Sequence, residues 1–131
     1  MNDKSFLISR FIGFMYPIIL LIGVYIIVNG HQSPGGGFHG GAVLATVFIC
    51  RYLENPNQDL RIHYLEIFEK ILFSLVLLLP VILLFNNISM NVISNKAYLL
   101  IMNILIGLKV CTGLSIIFYR FVFYEGGGLW N

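Results

Sequence analysis

Lys109 is the residue of this sequence whose type and position most strongly suggest chemistry. It lies near the middle of an apolar stretch that reads NILIGLKVCTG. An ammonium at the centre of a membrane-spanning helix costs at least ~2.5 kcal/mol, and a lysine far from both helix ends cannot easily reach the interface. Two interpretations follow: Lys109 is a station on a proton or cation path, or it pairs with a carboxylate purely for assembly.

The surroundings of Lys109 along its own helix are polar or small on two faces. Thr112 and Gly113 share the face of Lys109 through i+3 and i+4 spacing. Asn103 and Gly107 share a different face. We therefore expect this helix to contact protein or water on both faces.

Glu66 and Glu69 are the candidate partners for Lys109, because they lie at the start of another apolar segment. Glu66 has Lys70 four residues later as a partner, whereas Glu69 has none at that spacing. Helix rise alone, however, places Glu69 about 10 Å or more from the depth of Lys109. We therefore predict that the partner of Lys109 is another chain or water.

A second group of candidates lies in residues 30–41, which read GHQSPGGGFHGG. His31 and His39 flank the proline and glycines. Either could relay protons, because histidine titrates near neutral pH, or could simply bond to loop backbone. No third ligand accompanies them, so no metal site is predicted. The glycines are predicted to break the helix and let backbones approach closely: Gly35, Gly36, Gly37, Gly40 and Gly41.

The composition indicates a membrane protein. Of 131 residues, 58% are apolar and 11% are charged, whereas a soluble domain carries roughly 25% charged residues. The surplus apolar surface must face lipid or partner subunits. The net charge of +2 comes without a lysine- or arginine-rich block, so no nucleic-acid binding is expected.

The elements that position these residues are predicted to be four membrane-spanning helices. A single all-α, polytopic domain over 1–131 would contain spans at 11–29, 38–53, 65–85 and 97–119. The second segment is only about 24 Å long as a helix, shorter than the hydrocarbon core of roughly 30 Å. Either the membrane thins there or the glycine-rich loop dips below the interface.

The basic residues predict the orientation. With four spans, both termini and the middle loop share one side, and most basic residues lie on it: Lys4, Arg10, Arg51, Arg61 and Arg120. The positive-inside rule then places both termini in the cytoplasm, in a multi-pass protein of the cell membrane. The argument fails if the second segment does not span. The aromatic residues from Tyr119 onward suit an interfacial belt.

No enzyme motif is present in the sequence. It shows no P-loop, no nucleophile with a base, and no cysteine cluster for an iron–sulfur centre. Cys50 and Cys111 lie far apart inside apolar runs and read as small buried hydrophobes. We predict no catalytic site and no cofactor in this chain.

Residues 30–41 resemble the GHxxPGGGFxGG signature of the MnhB/MrpB family, the small subunits of multisubunit Mrp-type sodium/proton antiporters. A weaker likeness extends over nearly the whole chain. The resemblance implies a non-catalytic subunit that forms or scaffolds part of an ion path. Its partners would be other hydrophobic subunits, the lipid bilayer, and transported Na⁺ or H⁺. It also implies that His31 and Pro34 are important for transport or assembly.

One departure from the family pattern leaves other parent complexes possible. Stand-alone antiporter subunits tend to have an acidic residue near the position of Lys109. The pattern formed by Asn103, Gly107, Lys109 and Val110 looks closer to the version found in membrane-bound, energy-conserving hydrogenases. The alternatives are therefore the equivalent ion-translocating subunit of such a redox complex, and a purely structural subunit that fills space.

Overall fold

All regular secondary structure in the described part of the chain is α-helix. A computed structural model describes residues 3–32, 34–54, 62–85 and 95–127. These residues form α1 (Asp3–Val28), α2 (Gly36–Glu54), α3 (Ile62–Phe85) and α4 (Asn95–Gly127). The all-α, polytopic fold class predicted from the sequence is confirmed.

α4 is the helix that joins the others. α2 packs between α1 and α4, while α4 also contacts α3 and, less extensively, α1. Among the described helices, α3 packs against α4 alone. Gly37 of α2 lies beside Asn103 of α4, and Phe48 lies beside Tyr119 further along, so α2 and α4 run parallel.

Three of the described helices are long and apolar enough to cross a membrane: Ser9–Val28, Ile62–Phe85 and Lys96–Val122. Their outward surfaces carry large apolar side chains such as Leu21, which is 68% exposed, as lipid or partner subunits require. α2 has 19 residues and is not among the three. A fourth span at 38–53 therefore stays a prediction.

The break between α1 and α2 is shorter than the sequence predicts. Gly35 precedes α2, but the other glycines that we expected in the break lie in its first turns: Gly36, Gly37, Gly40 and Gly41. Gly35 and Gly36 have positive φ values of 93° and 36°, which glycine adopts without steric cost. The His39 amide already donates to the Gly35 carbonyl, at 3.2 Å. The glycines after Gly35 thus continue the helix instead of breaking it.

Tyr119 lies inside the protein. It is 1% exposed, and its hydroxyl donates to the Phe48 carbonyl at 3.3 Å. The prediction that it belongs to an interfacial aromatic belt is wrong, because the α2 backbone satisfies its hydroxyl. Phe121, two residues later, is exposed as an interfacial residue would be.

Candidate functional site

At Gly37 and Gly41 the contact between α2 and α4 is made by backbone. A side chain at Gly37 would collide with the carbonyl oxygen of Asn103, and one at Gly41 would collide with that of Gly107. Both helices therefore present small or short residues four positions apart, the spacing that allows close approach of membrane helices. We call these four residues the glycine seam.

A neighbouring face of α2, about 100° around the helix, also closely approaches the backbone of α1 and of the loop after it. A Cβ at Gly40 would lie 2.9 Å from the Gly23 carbonyl oxygen, and one at Gly36 would lie 2.8 Å from that of Gly30. The predicted close approach of backbones is thus present on two sides of α2. These glycines serve packing, and only Gly35 and Gly36 use glycine's wider range of φ.

Asn103 holds the α1–α2 loop against α4. Its Oδ1 accepts a hydrogen bond of 3.4 Å from the Gly37 amide, and its side-chain amide lies against Gly30. Asn103 follows Lys96, where the candidate span of α4 begins, by seven residues, or about 10 Å of helix. The loop therefore lies beside the candidate span of α4 and not beyond its end. Non-helical backbone within a membrane needs protein or water to satisfy it.

The candidate residues of the α1–α2 loop and of the first turn of α2 are on the surface of the chain. His31, Pro34 and His39 are all exposed. The Nε2 of His31 lies 3.1 Å from that of Gln32, and the ring of His39 covers Gly35. None of the three approaches Lys109, because they belong to the α1–α2 region whereas Lys109 faces α3.

Lys109 has its partner within the same chain. Its Nζ lies 3.4 Å from Oε1 of Glu69 and 4.7 Å from the ring centroid of Phe73. The prediction that its partner is another chain or water is wrong. A second ion pair, between Glu66 and Arg120, joins the same two helices, with 3.2 Å between Arg120 Nε and Glu66 Oε1. We call these five residues the charged seam.

The reach of the side chains explains why helix rise alone misleads. Lys109 and Arg120 are about 16 Å apart along α4, whereas Glu66 and Glu69 are about 4–5 Å apart along α3. The long side chains of lysine and arginine converge on the two carboxylates and cover the remaining difference of about 12 Å. The depth of a Cα atom is therefore a poor guide to the depth of the charge.

The helix face beside Lys109 is only partly polar. Thr112 donates to the carbonyl oxygens of Leu108 and Lys109, at 3.0 Å each, so its hydroxyl is satisfied by its own helix. A Cβ placed on Gly113 would meet nothing within 4 Å. Thr112 thus stays a predicted site residue without a contact to the charge, while Gly113 leaves space next to Lys109.

Sequence reasoning missed three members of the charged seam. Glu66 and Arg120 were not predicted to pair, and the aromatic Phe73 was not singled out. The available signal was the spacing on α3, where Glu66, Glu69 and Phe73 recur at i, i+3 and i+7 and so share one helix face. The separate face of Asn103 and Gly107 was predicted, and its contact with α2 confirms the expectation of contacts on both faces.

The fold and the two seams define a polytopic α-helical membrane protein with a charge pair inside its apolar region. The chain belongs to the family of domains related to the MnhB subunit of Na⁺/H⁺ antiporters, whose family model matches residues 7–116. The family resemblance inferred from residues 30–41 is confirmed.

Similar proteins match over short segments. A Staphylococcus aureus (strain Newman) protein, whose name gives it as a candidate antiporter subunit mnhB2, is 44% identical over 36 residues. That segment is 28% of this chain and 26% of that protein. An uncharacterized protein of Methanocaldococcus jannaschii is 40% identical over 43 residues, 32% of this chain and 16% of that protein. The chain thus matches about a quarter or less of the length of these relatives. No solved structure matches the chain significantly.

Proposed function

We propose that this chain is a non-catalytic subunit of a multisubunit Mrp-type Na⁺/H⁺ antiporter in the cell membrane, and that Glu69 and Lys109 form part of its ion path. The observation that carries the proposal is the ion pair itself. Glu69 and Lys109 both belong to candidate membrane spans, where a charge is expensive and is kept mainly for function. Membership of the family related to the MnhB antiporter subunit supports the same proposal.

The pair suits a site where two cations compete. The Glu69 carboxylate is neutralised by the ammonium of Lys109 at 3.4 Å. A proton or Na⁺ that binds the carboxylate neutralises it and releases the ammonium, because two cations at one carboxylate repel each other strongly in a low dielectric. The ring of Phe73 then offers the displaced ammonium a cation–π contact already present at 4.7 Å. Lys109 can leave Glu69 without being surrounded by hydrocarbon.

The glycine seam gives the proposed path its scaffold. It fixes α4 against α2 at backbone distance, so that the opposite face of α4 presents Lys109 to α3 at a fixed depth. The loop that Asn103 holds lies beside the candidate span of α4, a position that suits a hydrated vestibule. We propose that His31, Pro34 and His39 face this vestibule on the outer side, with both termini in the cytoplasm.

The test is Na⁺-driven proton movement in inside-out vesicles that contain the complete complex. We expect Glu69→Ala combined with Lys109→Ala to leave the complex assembled, because both charges are removed together. Antiport should fall about tenfold or more, as for the loss of a positioned proton-transfer group. Lys96→Ala, which removes an exposed lysine at the start of the same helix, is the matched control and should transport normally.

Two results would contradict the proposal. Parental antiport rates in the double variant would show that the pair fills space without carrying ions. Co-purification of the chain with nickel–iron hydrogenase subunits, in place of antiporter subunits, would assign the same pair to a redox-driven pump.

A further inference from the structure

We infer that the charged seam is also the docking surface for a membrane-spanning helix of another subunit, and that this helix carries one carboxylate beside Gly113. The inference rests on the proposed function only in that the chain works within a complex. It names the kind of partner that covers the pair, and it does not require that the pair carry ions.

The charge of this region is unbalanced. Lys70, which follows Glu69 on α3, is exposed beside the charged seam. Among the side chains that the structure describes in this region, Lys70, Lys109 and Arg120 supply three cations against the carboxylates of Glu66 and Glu69, which leaves one positive charge. A complementary partner presents one negative charge, because charged groups across an interface are arranged in opposite signs.

The charged seam is partly exposed on one side of the α3–α4 pair. Lys109 and Glu69 keep 31% and 29% of their side-chain surface exposed, although they belong to segments that cross the membrane. Among the described helices, α3 contacts α4 alone, so nothing in that part of the chain covers this flank. Exposed charges within membrane-crossing segments require a polar partner or water beside them.

Gly113 marks the place where a partner can come closest. It lies one turn after Lys109 and two turns before Arg120, on the stripe of α4 that carries both cations. A Cβ there would meet nothing within 4 Å, so the gap between the two ion pairs is unfilled. Small residues at helix surfaces allow the backbone of a partner helix to approach closely.

The depth of Gly113 favours a helix over a lipid headgroup as the source of the negative charge. Gly113 has no side chain that could reach the interface, and it lies about 14 Å of helix from Val122, the nearer end of the candidate span. A lipid phosphate stays at the membrane interface and does not reach that depth, whereas a carboxylate on a membrane-spanning helix does.

Photo-crosslinking of the intact complex in its membrane tests this inference. A diazirine-bearing residue is introduced at position 113 and, in parallel, at the exposed Ile117 one turn later. Position 13 is the matched control, because a Cβ on Gly13 also meets nothing within 4 Å. We expect adducts from 113 and 117 with one membrane-spanning segment of another subunit that contains an Asp or Glu. Replacing that carboxylate with alanine should lower the yield at 113 about tenfold and leave the yield at 13 unchanged.

Three results would overturn the inference: adducts at 113 and 117 with lipid alone, with a second copy of this chain, or with a helix that has no carboxylate. The readout needs no ion transport. A complex that crosslinks as expected but fails the antiport test would refute the proposed ion path and leave the docking surface intact.

Discussion

The two sides of α4 are held by opposite means. Toward α2, the backbones at Gly41 and Gly107 touch, and no side chain intervenes. Toward α3, the helices are joined by long charged side chains, with open space at Gly113. Association of helices in lipid gains little from hydrophobic burial, so close packing supplies rigidity. The comparison teaches that one helix can be fixed on one face and leave the other face free for charge.

Filling the glycine seam should have the largest effect. In Gly41→Leu the side chain meets the carbonyl of Gly107, which is backbone and cannot rotate away. We expect a loss of about 3 kcal/mol or more, at the upper end for overpacking. The measurement is the amount of monodisperse chain or complex recovered in mild detergent.

Gly13→Leu is the control for this substitution, because a side chain at Gly13 meets open space. It should be recovered at the parental level. Equal recovery of both variants would mean that the backbones of α2 and α4 do not touch.

Removing the loop anchor should have a moderate effect. Asn103→Ala deletes the acceptor of the Gly37 amide but leaves the glycine contacts in place. We expect the loss of about 1 kcal/mol, the typical net value of one hydrogen bond. Thermal unfolding of the detergent-solubilised complex measures it, and an unchanged midpoint would show that the glycines alone hold the loop.

Changing Thr112 should have the smallest effect. Its hydroxyl is bonded to carbonyls of its own helix, so Thr112→Val removes no contact with Lys109 or Glu69. Antiport should stay within about twofold of the parental rate, as for changes worth under 0.5 kcal/mol. A tenfold loss would restore Thr112 to the ion path predicted from its spacing.

The sequence predicted the elements better than the contacts between them. Apolar runs and the glycine-rich stretch are local signals, so the helices and the break between α1 and α2 were predictable. Gly37 is glycine because α2 lies against the carbonyl of Asn103, which is distant in sequence. No local pattern reports such a contact.

The residue types of the candidate site were predictable from the sequence, but the pairs that these residues form were not. Lys109 stood out because a charge in an apolar run is costly. Its pairing with Glu69 depends on two helices lying side by side and on the reach of the lysine side chain, neither of which follows from rise per residue. Tyr119 was misplaced for a related reason, because its hydroxyl is satisfied by the backbone of another helix.

Exchange of the paired charges tests the central claim, that Glu69 and Lys109 bind each other within one chain. Lys109→Glu and Glu69→Lys each place like charges together, and we expect each to lower the yield of assembled complex about fivefold to thirtyfold. This corresponds to 1–2 kcal/mol, less than for a fully buried pair because both side chains are about one-third exposed. The combined exchange should restore most of the yield. Two results would contradict this account: a combined variant whose yield is no higher than that of the worse single variant, or a Glu69→Lys variant with the parental yield. Either result would mean that Lys109 pairs with a group outside this chain.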